Sequence, residues 1–186
     1  MRNFLKIAEC VDIVPLLIAL KMRPELWNQN KFRTTYKDTP HHDVDDIWIR
    51  YPSHALTADT NDLEGVINDK KPVWHNDIPQ AKPIILDIMH RVGAYELGRV
   101  LITRIKPGGR ILPHADVYGD YVQEKDKARY HVVLQGLPGS LYRTGDETVC
   151  MRTGEVWWFN ALLEHEVMNN SETDRIHLLV DVSVFP

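Results

Sequence analysis

Between Arg99 and Val184 the chain is cut by turn residues into eight apolar-rich segments, none longer than ten residues. They are Arg99–Lys106, Ile111–Ala115, Arg129–Leu134, Ser140–Arg143, Glu147–Met151, Glu155–Asn160, His165–Met168 and Arg175–Val184. Pro107-Gly108-Gly109, Gly136 to Gly139, Gly145-Asp146, Thr153-Gly154 and Asn169-Asn170 separate them. Segments this short, closed by turns this frequent, leave no room for a helical core. The pattern predicts a mainly β jelly roll or sandwich with helices packed outside it.

The first half is different in kind. Val11 to Trp27 reads as a short amphipathic helix with Asp12 as its N-cap, and Ala81 to Val92 as a second helix stopped by Gly93. Asp46 to Tyr51 reads as one strand, followed by a polar, turn-rich stretch through Asp77. With no repeat or linker, the chain reads as a single domain, residues 1–186. Residues 1–98 are a helical and loop elaboration, and 99–186 the β core.

Two strands tell which face carries chemistry. Arg175, His177, Leu179, Asp181 and Ser183 alternate with Ile176, Leu178, Val180, Val182 and Val184. Arg129, His131, Val133 and Gln135 alternate likewise with Tyr130, Val132 and Leu134. Side chains change face at every residue of a strand, so the apolar sets can pack under helices while the polar sets line an interior. A closed jelly roll with a polar-lined interior satisfies both; polar residues facing water would satisfy either strand alone.

Composition excludes several classes. At 186 residues the chain can bury roughly 70% of its unfolded surface. Its 13-residue longest stretch without Asp, Glu, Lys or Arg, Tyr130 to Tyr142, contains Gly136, Pro138 and Gly139, so a membrane span is not expected. The run Ile13–Leu20 is broken by Pro15 and lacks a small-x-small cleavage site, so it does not read as a signal peptide. Only Cys10 and Cys150 are present, which points to the reducing cytoplasm and rules out a cysteine-built zinc cluster. A net charge of -4 and a pI near 6.1 argue against nucleic acid as a partner; Arg99, Arg104, Lys106 and Arg110 give only weak support for one. The unusual count is nine histidines.

His114-Ala115-Asp116 sets an imidazole and a carboxylate on one face of an extended segment. His165 lies in Glu164-His-Glu-Val-Met168, and Arg175 follows ten residues later. An H-x-D alone is weak. Joined to a distal histidine and an arginine on a small β fold, it supplies the ingredients of a two-histidine, one-carboxylate facial triad for Fe(II). The carboxylate and the lack of nearby cysteines disfavour structural zinc. His41-His42 with Asp43, Asp45 and Asp46 fits no standard metal spacing and reads as a solvated loop. Trp157-Trp158-Phe159 reads as core. Trp48 and Arg50 share the face opposite Ile47 and Ile49, which would turn that pair toward a substrate.

Five segments then carry a resemblance: PGGRILPHAD (Pro107–Asp116), RYHVVLQG (Arg129–Gly136), GEVWWFN (Gly154–Asn160), LEHEVMNNS (Leu163–Ser171) and DRIHLLVDV (Asp174–Val182). In this order the region from Gly98 to Pro186 resembles the aspartyl/asparaginyl β-hydroxylase-like branch of the 2-oxoglutarate- and Fe(II)-dependent dioxygenases. The resemblance implies a double-stranded β-helix, cupin-like, with His114, Asp116 and His165 as iron ligands. It implies Arg175 as the clamp on the distal carboxylate of 2-oxoglutarate, a contact its planar fork suits. Arg129 and His131 match an R-x-H pair that binds the cosubstrate in this branch, and His177 is placed to add a hydrogen bond or to be satisfied inside the barrel. The implied reaction hydroxylates an amino acid, peptide side chain or related small molecule with oxygen, and decarboxylates 2-oxoglutarate to succinate. Some relatives lack the carboxylate ligand; keeping Asp116 leaves no position for a halide and favours hydroxylation over halogenation. The charged stretch Glu124–Lys127 reads as a solvated loop or part of a lid. Two other readings stay open: a cupin-like isomerase or ligand binder without 2-oxoglutarate, and an oxygenase acting on nucleic acid or a nucleotide.

Overall fold

The structure, a computed structural model, describes residues 2–52, 72–74, 76–116 and 127–185. In chain order its elements are β1 (Phe4–Ala8), α1 (Val14–Met22), a 3-10 turn at Pro24–Leu26, α2 (Phe32–Thr35), β2 (Val44–Pro52) and β3 (Pro72–Trp74). Then come α3 (Ala81–Val92), β4 (Ala94–Ile105), β5 (Arg110–His114), β6 (Lys127–Gln135), β7 (Ser140–Thr144) and β8 (Glu147–Val149). The last three are β9 (Val156–Phe159), β10 (His165–Asn169) and β11 (Arg175–Val184). Most of the polar stretch before Asp77 and Glu124 to Asp126 lie outside the described residues.

The strands form a seven-stranded sheet, β1-β9-β6-β11-β4-β2-β3, and a four-stranded sheet, β5-β10-β7-β8, with antiparallel pairing throughout. The chain repeatedly crosses between them: β4 to β5, β6 to β7, β8 to β9 and β10 to β11. This is the double-stranded β-helix. The first crossing turns at Gly108, whose φ of +80° suits a residue without Cβ.

The large sheet buries one face under helices. Ile176, Leu178, Val180 and Val182 of β11 and Tyr130, Val132 and Leu134 of β6 pack with Leu16 and Leu20 of α1 and Ile84, Ile85 and Ile88 of α3. Each fully buried Leu or Ile contributes about 1.5–3 kcal/mol. The spacing of Ala81, Ile84, Ile85 and Ile88 keeps one stripe of α3 on the sheet, and Gly93 ends the helix in the left-handed region at φ +65°. α1 is apolar on both sides, with Val14, Ile18 and Met22 exposed, so its amphipathic reading does not hold. Asp12 does accept from the Val14 N–H, at 3.2 Å, although Ile13 occupies the cap position.

The first half contributes more to the sheet than helices and loops. β1, β2 and β3 all join the seven strands, and residue 98 falls inside β4. A register shift between Trp48 and Arg50 also separates the pair expected to share a face. Trp48 stays opposite Leu101, whereas Arg50 moves opposite Val100, on the helix side, and its Nη1 donates to the Gly98 carbonyl. A bulge of this kind flips the alternation that a sequence pattern assumes.

Candidate metal centre

β5 and β10 lie side by side with His114 directly opposite His165, and the ring centroids are 4.3 Å apart. Asp116 stands two residues beyond His114, past the end of β5, its backbone N–H donating to the Ala161 carbonyl at 2.9 Å. One ligand atom from each of His114, Asp116 and His165 falls within 4.8 Å of the others. His114 Nδ1 meets the Leu112 carbonyl at 2.8 Å, and His165 Nδ1 meets the Leu163 carbonyl at 2.9 Å. A carbonyl only accepts, so each Nδ1 carries the proton and each Nε2 is left with its lone pair for a metal. The same device, a carbonyl two residues back, orients both rings.

The turn from β10 to β11 sets the spacing from His165 to Arg175. Asn169 is fully buried there; its Nδ2 donates to the Ile105 and Thr173 carbonyls, each at 2.8 Å. Its Oδ1 accepts from Ser171 Oγ at 2.6 Å, and its backbone exchanges hydrogen bonds with Gly108 and Gly109. Thus MNNS and PGG, far apart in sequence, form one corner at the end of β5 and β10 opposite His114 and His165.

Electrostatics favours a neutral-imidazole, ionised-carboxylate set. Burial lowers His165 from 6.5 to about 4 and pushes His114 down as well, the Leu112 carbonyl opposing. Burial would raise Asp116, but Arg129 above all, then His165, outweighs it and holds the carboxyl below its usual range.

The inner face of the large sheet continues from this cluster into the barrel. Phe159 lies 5.1 Å from both His165 and His131, and Tyr142 of β7 lies 5.4 Å from His131, ring to ring. Deeper still, Arg175 Nη2 donates to His177 Nδ1 at 3.1 Å, and His131 Nδ1 meets the same atom at 3.3 Å. A guanidinium cannot accept, so His177 Nδ1 is the acceptor and His131 Nδ1 carries a proton. Among the described residues, His131 Nε2, His177 Nε2 and Thr144 Oγ1 are buried without a hydrogen-bond partner. Arg175 is only 2% exposed and, among the described residues, has no carboxylate partner; burial lowers it from 12.5 to about 10. Its guanidinium stacks 5.7 Å from the Tyr142 ring. A buried cation facing unpaired polar atoms is a bed for an anion.

Arg129 joins two carboxylates. The resemblance assigns it to the cosubstrate; in the structure Nε and Nη2 bind Asp181 at 2.6 and 3.1 Å, while Nη1 donates to Asp116 Oδ2. Of the residues singled out from sequence, His114, Asp116, His165 and Arg129 thus meet at one end, and Arg175, His131 and His177 at the other. Sequence reading missed Tyr142 and Thr144, which alternate on β7 toward the interior; that period-two pattern was the signal available. It also set aside His41, whose ring lies 4.9 Å from His114. On β2, Asp46 is buried and held by a fork from Arg33, at 2.7 and 2.9 Å.

A sequence model described as aspartyl/asparaginyl β-hydroxylase matches residues 25–184, most of the chain. The chain belongs to this family. It is 32% identical over 88 residues to an L-proline cis-4-hydroxylase of Rhizobium meliloti, covering 46% of this chain and 30% of that protein. It is 28% identical over 143 residues to L-proline cis-3-hydroxylase 1 of a Streptomyces species, covering 74% of this chain and 47% of that one. The chain therefore spans less than half the length of these curated relatives. A 2OG-Fe(II) oxygenase family oxidoreductase from Burkholderia pseudomallei shares the fold, with a TM-score of 0.59 at 14% identity over 97% of this chain and 84% of that one. The viral collagen prolyl hydroxylase vCPH of Paramecium Bursaria Chlorella virus-1 does so at a TM-score of 0.54 and 13% identity, over 100% and 97%. Among the described residues no helix is long and apolar enough to cross a membrane.

Proposed function

We propose that this chain is an Fe(II)- and 2-oxoglutarate-dependent dioxygenase that hydroxylates an unactivated C–H bond of an amino acid, peptide side chain or related small molecule. One oxygen atom of O2 enters the substrate and the other enters succinate, as 2-oxoglutarate loses carbon dioxide. The observation that carries this reading is the pairing of two sites inside one barrel. His114, Asp116 and His165 offer two neutral nitrogens and a carboxylate, and the buried guanidinium of Arg175 lies behind them without a carboxylate partner among the described residues. Both groups fit these residues.

Bound iron and 2-oxoglutarate supply the oxidising power for the C–H bond. The chain's residues do the rest. Arg175 binds the distal carboxylate of 2-oxoglutarate, with His177 fixing the guanidinium and His131 held neutral by burial beside it. Phe159 and Tyr142 wall the interior and exclude water. No protein acid or base is required at the reacting carbon. Relatives named as L-proline hydroxylases support a small amino-acid-like substrate.

A cupin-like isomerase leaves the buried Arg175 without a task. Nucleic acid is not favoured either, because Arg104 and Lys106 lie on Asp45 and Arg99 lies on Asp181. The test is a screen of free amino acids, peptides and oligonucleotides for coupled oxygen uptake and succinate release. A small-molecule or peptide substrate should raise both in equal amounts and gain one oxygen atom. Metal-dependent turnover of a substrate with no succinate formed would overturn the reading.

A further inference from the structure

The three ligands are not held alike. His114 and His165 each rest a ring N–H on a backbone carbonyl, whereas Asp116 lies beyond the end of β5, its backbone N–H on the Ala161 carbonyl, and its carboxylate has no N–H to be held in that way. What orients it comes from the other sheet. Arg129 of β6 and Asp181 of β11 are direct cross-strand neighbours, and their side chains form a side-on fork at 2.6 and 3.1 Å. The fork uses the Nε–Nη2 edge of a planar group, so it fixes the direction of Nη1, which reaches Asp116 Oδ2. Asp116 Oδ1 is the oxygen turned to the imidazoles, 3.7 Å from His114 Nε2. The local backbone serves the same contact. The β4–β11 register shifts at Asp181, and Gly98 sits there so close that an added Cβ would lie 3.0 Å from the Asp181 carbonyl oxygen.

We propose that Arg129, aimed by Asp181, is the positioning residue of the metal centre: it occupies one oxygen of Asp116 and leaves the other for the ion. This rests on the metal-binding reading above. A carboxylate with both oxygens available can chelate through both and take up a coordination position that substrate oxygen needs. With Oδ2 engaged, the protein supplies three ligand atoms and the remaining positions stay open. The assignment also moves Arg129 from the cosubstrate to the metal ligand.

Co(II) titration of the full chain without 2-oxoglutarate, followed by its visible spectrum, reads this directly. Arg129→Gln should weaken Co(II) about 10–100-fold, the range for residues that orient a metal ligand, and alter the band shape. Asp181→Asn, nearly isosteric, should shift affinity the same way by less, and keeps the test open if Arg129→Gln does not fold. In an Asp116→Ala background, Arg129→Gln should cost nothing further, because its route is gone. At saturating Co(II), 2-oxoglutarate affinity should change little in Arg129→Gln. Unchanged Co(II) affinity with weakened 2-oxoglutarate binding would return Arg129 to the cosubstrate, and an equal loss in both backgrounds would make its role structural; either overturns the proposal. Failure of the unaltered protein to bind Co(II) would remove the functional reading as well, and so is told apart from failure of this one.

Discussion

The two faces of β11 are built to opposite rules. Ile176, Leu178, Val180 and Val182 face the helices in a closed apolar core. Arg175, His177 and Asp181, one residue out of phase, are just as buried but face polar neighbours, and among the described residues His177 Nε2 and the nearby His131 Nε2 and Thr144 Oγ1 have no hydrogen-bond partner. Each buried unpaired polar group costs about 1–3 kcal/mol. One strand therefore stabilises the fold on one side and sacrifices stability for ligand chemistry on the other.

The first way to break this contrast is Asp46→Ala, because Asp46 is an inner-face group that is fully paired. Removing it strands Arg33 and should destabilise the chain by about 3–5 kcal/mol in urea unfolding. A loss under 1 kcal/mol would mean that paired inner-face groups carry no more stability than unpaired ones. On the outer face, Leu178→Ala should cost about 3 kcal/mol in the same assay, from burial lost and cavity left. Co(II) affinity per folded molecule should not change; if it does, the faces are not separable.

A smaller effect is set by protons. Burial, with Arg175 nearby, holds the His131 and His177 rings well below 6.5, so they are neutral in the folded chain. As pH falls through 6.5 the unfolded chain takes up protons that these rings do not, and stability falls. Each ring contributes up to about 1.4 kcal/mol per pH unit. Urea midpoints of the metal-free protein should hold steady from pH about 7.5 to 7 and drop below about 6.5, with a shallower drop in His177→Gln. A flat profile down to pH about 5.5 would contradict neutral burial of these rings.

Much of this was legible in sequence because it is local. Turn residues marked all eight strands of the second half, α3 runs over the expected residues, and the period-two alternation of β6 and β11 sorted their faces correctly. His114, Asp116 and His165 came from short motifs, and the structure brings those three residues together. What stayed hidden depends on register and on contacts between distant segments. β1 is five residues with Lys6 at its centre, too short and too charged to stand out, and gains its identity only by pairing with β9. The bulge that turns Arg50 away leaves no mark in a hydrophobic pattern. His41 and the Arg33–Asp46 fork acquire meaning only when the chain returns to place them beside β5 and β4. Arg129, Asp116 and Asp181 each stand out in the sequence, but not the contact by which Arg129 joins the two carboxylates.

The central claim is that the metal triad and Arg175 serve one bound cosubstrate. It is tested most directly by adding 2-oxoglutarate to the Fe(II) protein without oxygen and recording the visible spectrum. A metal-to-ligand charge-transfer band should appear and saturate. Arg175→Leu should still bind Fe(II) but require about 100-fold or more 2-oxoglutarate for the same band, since the buried cation that holds the distal carboxylate is gone. No band in the unaltered protein, or the same saturation curve in Arg175→Leu, would contradict the account.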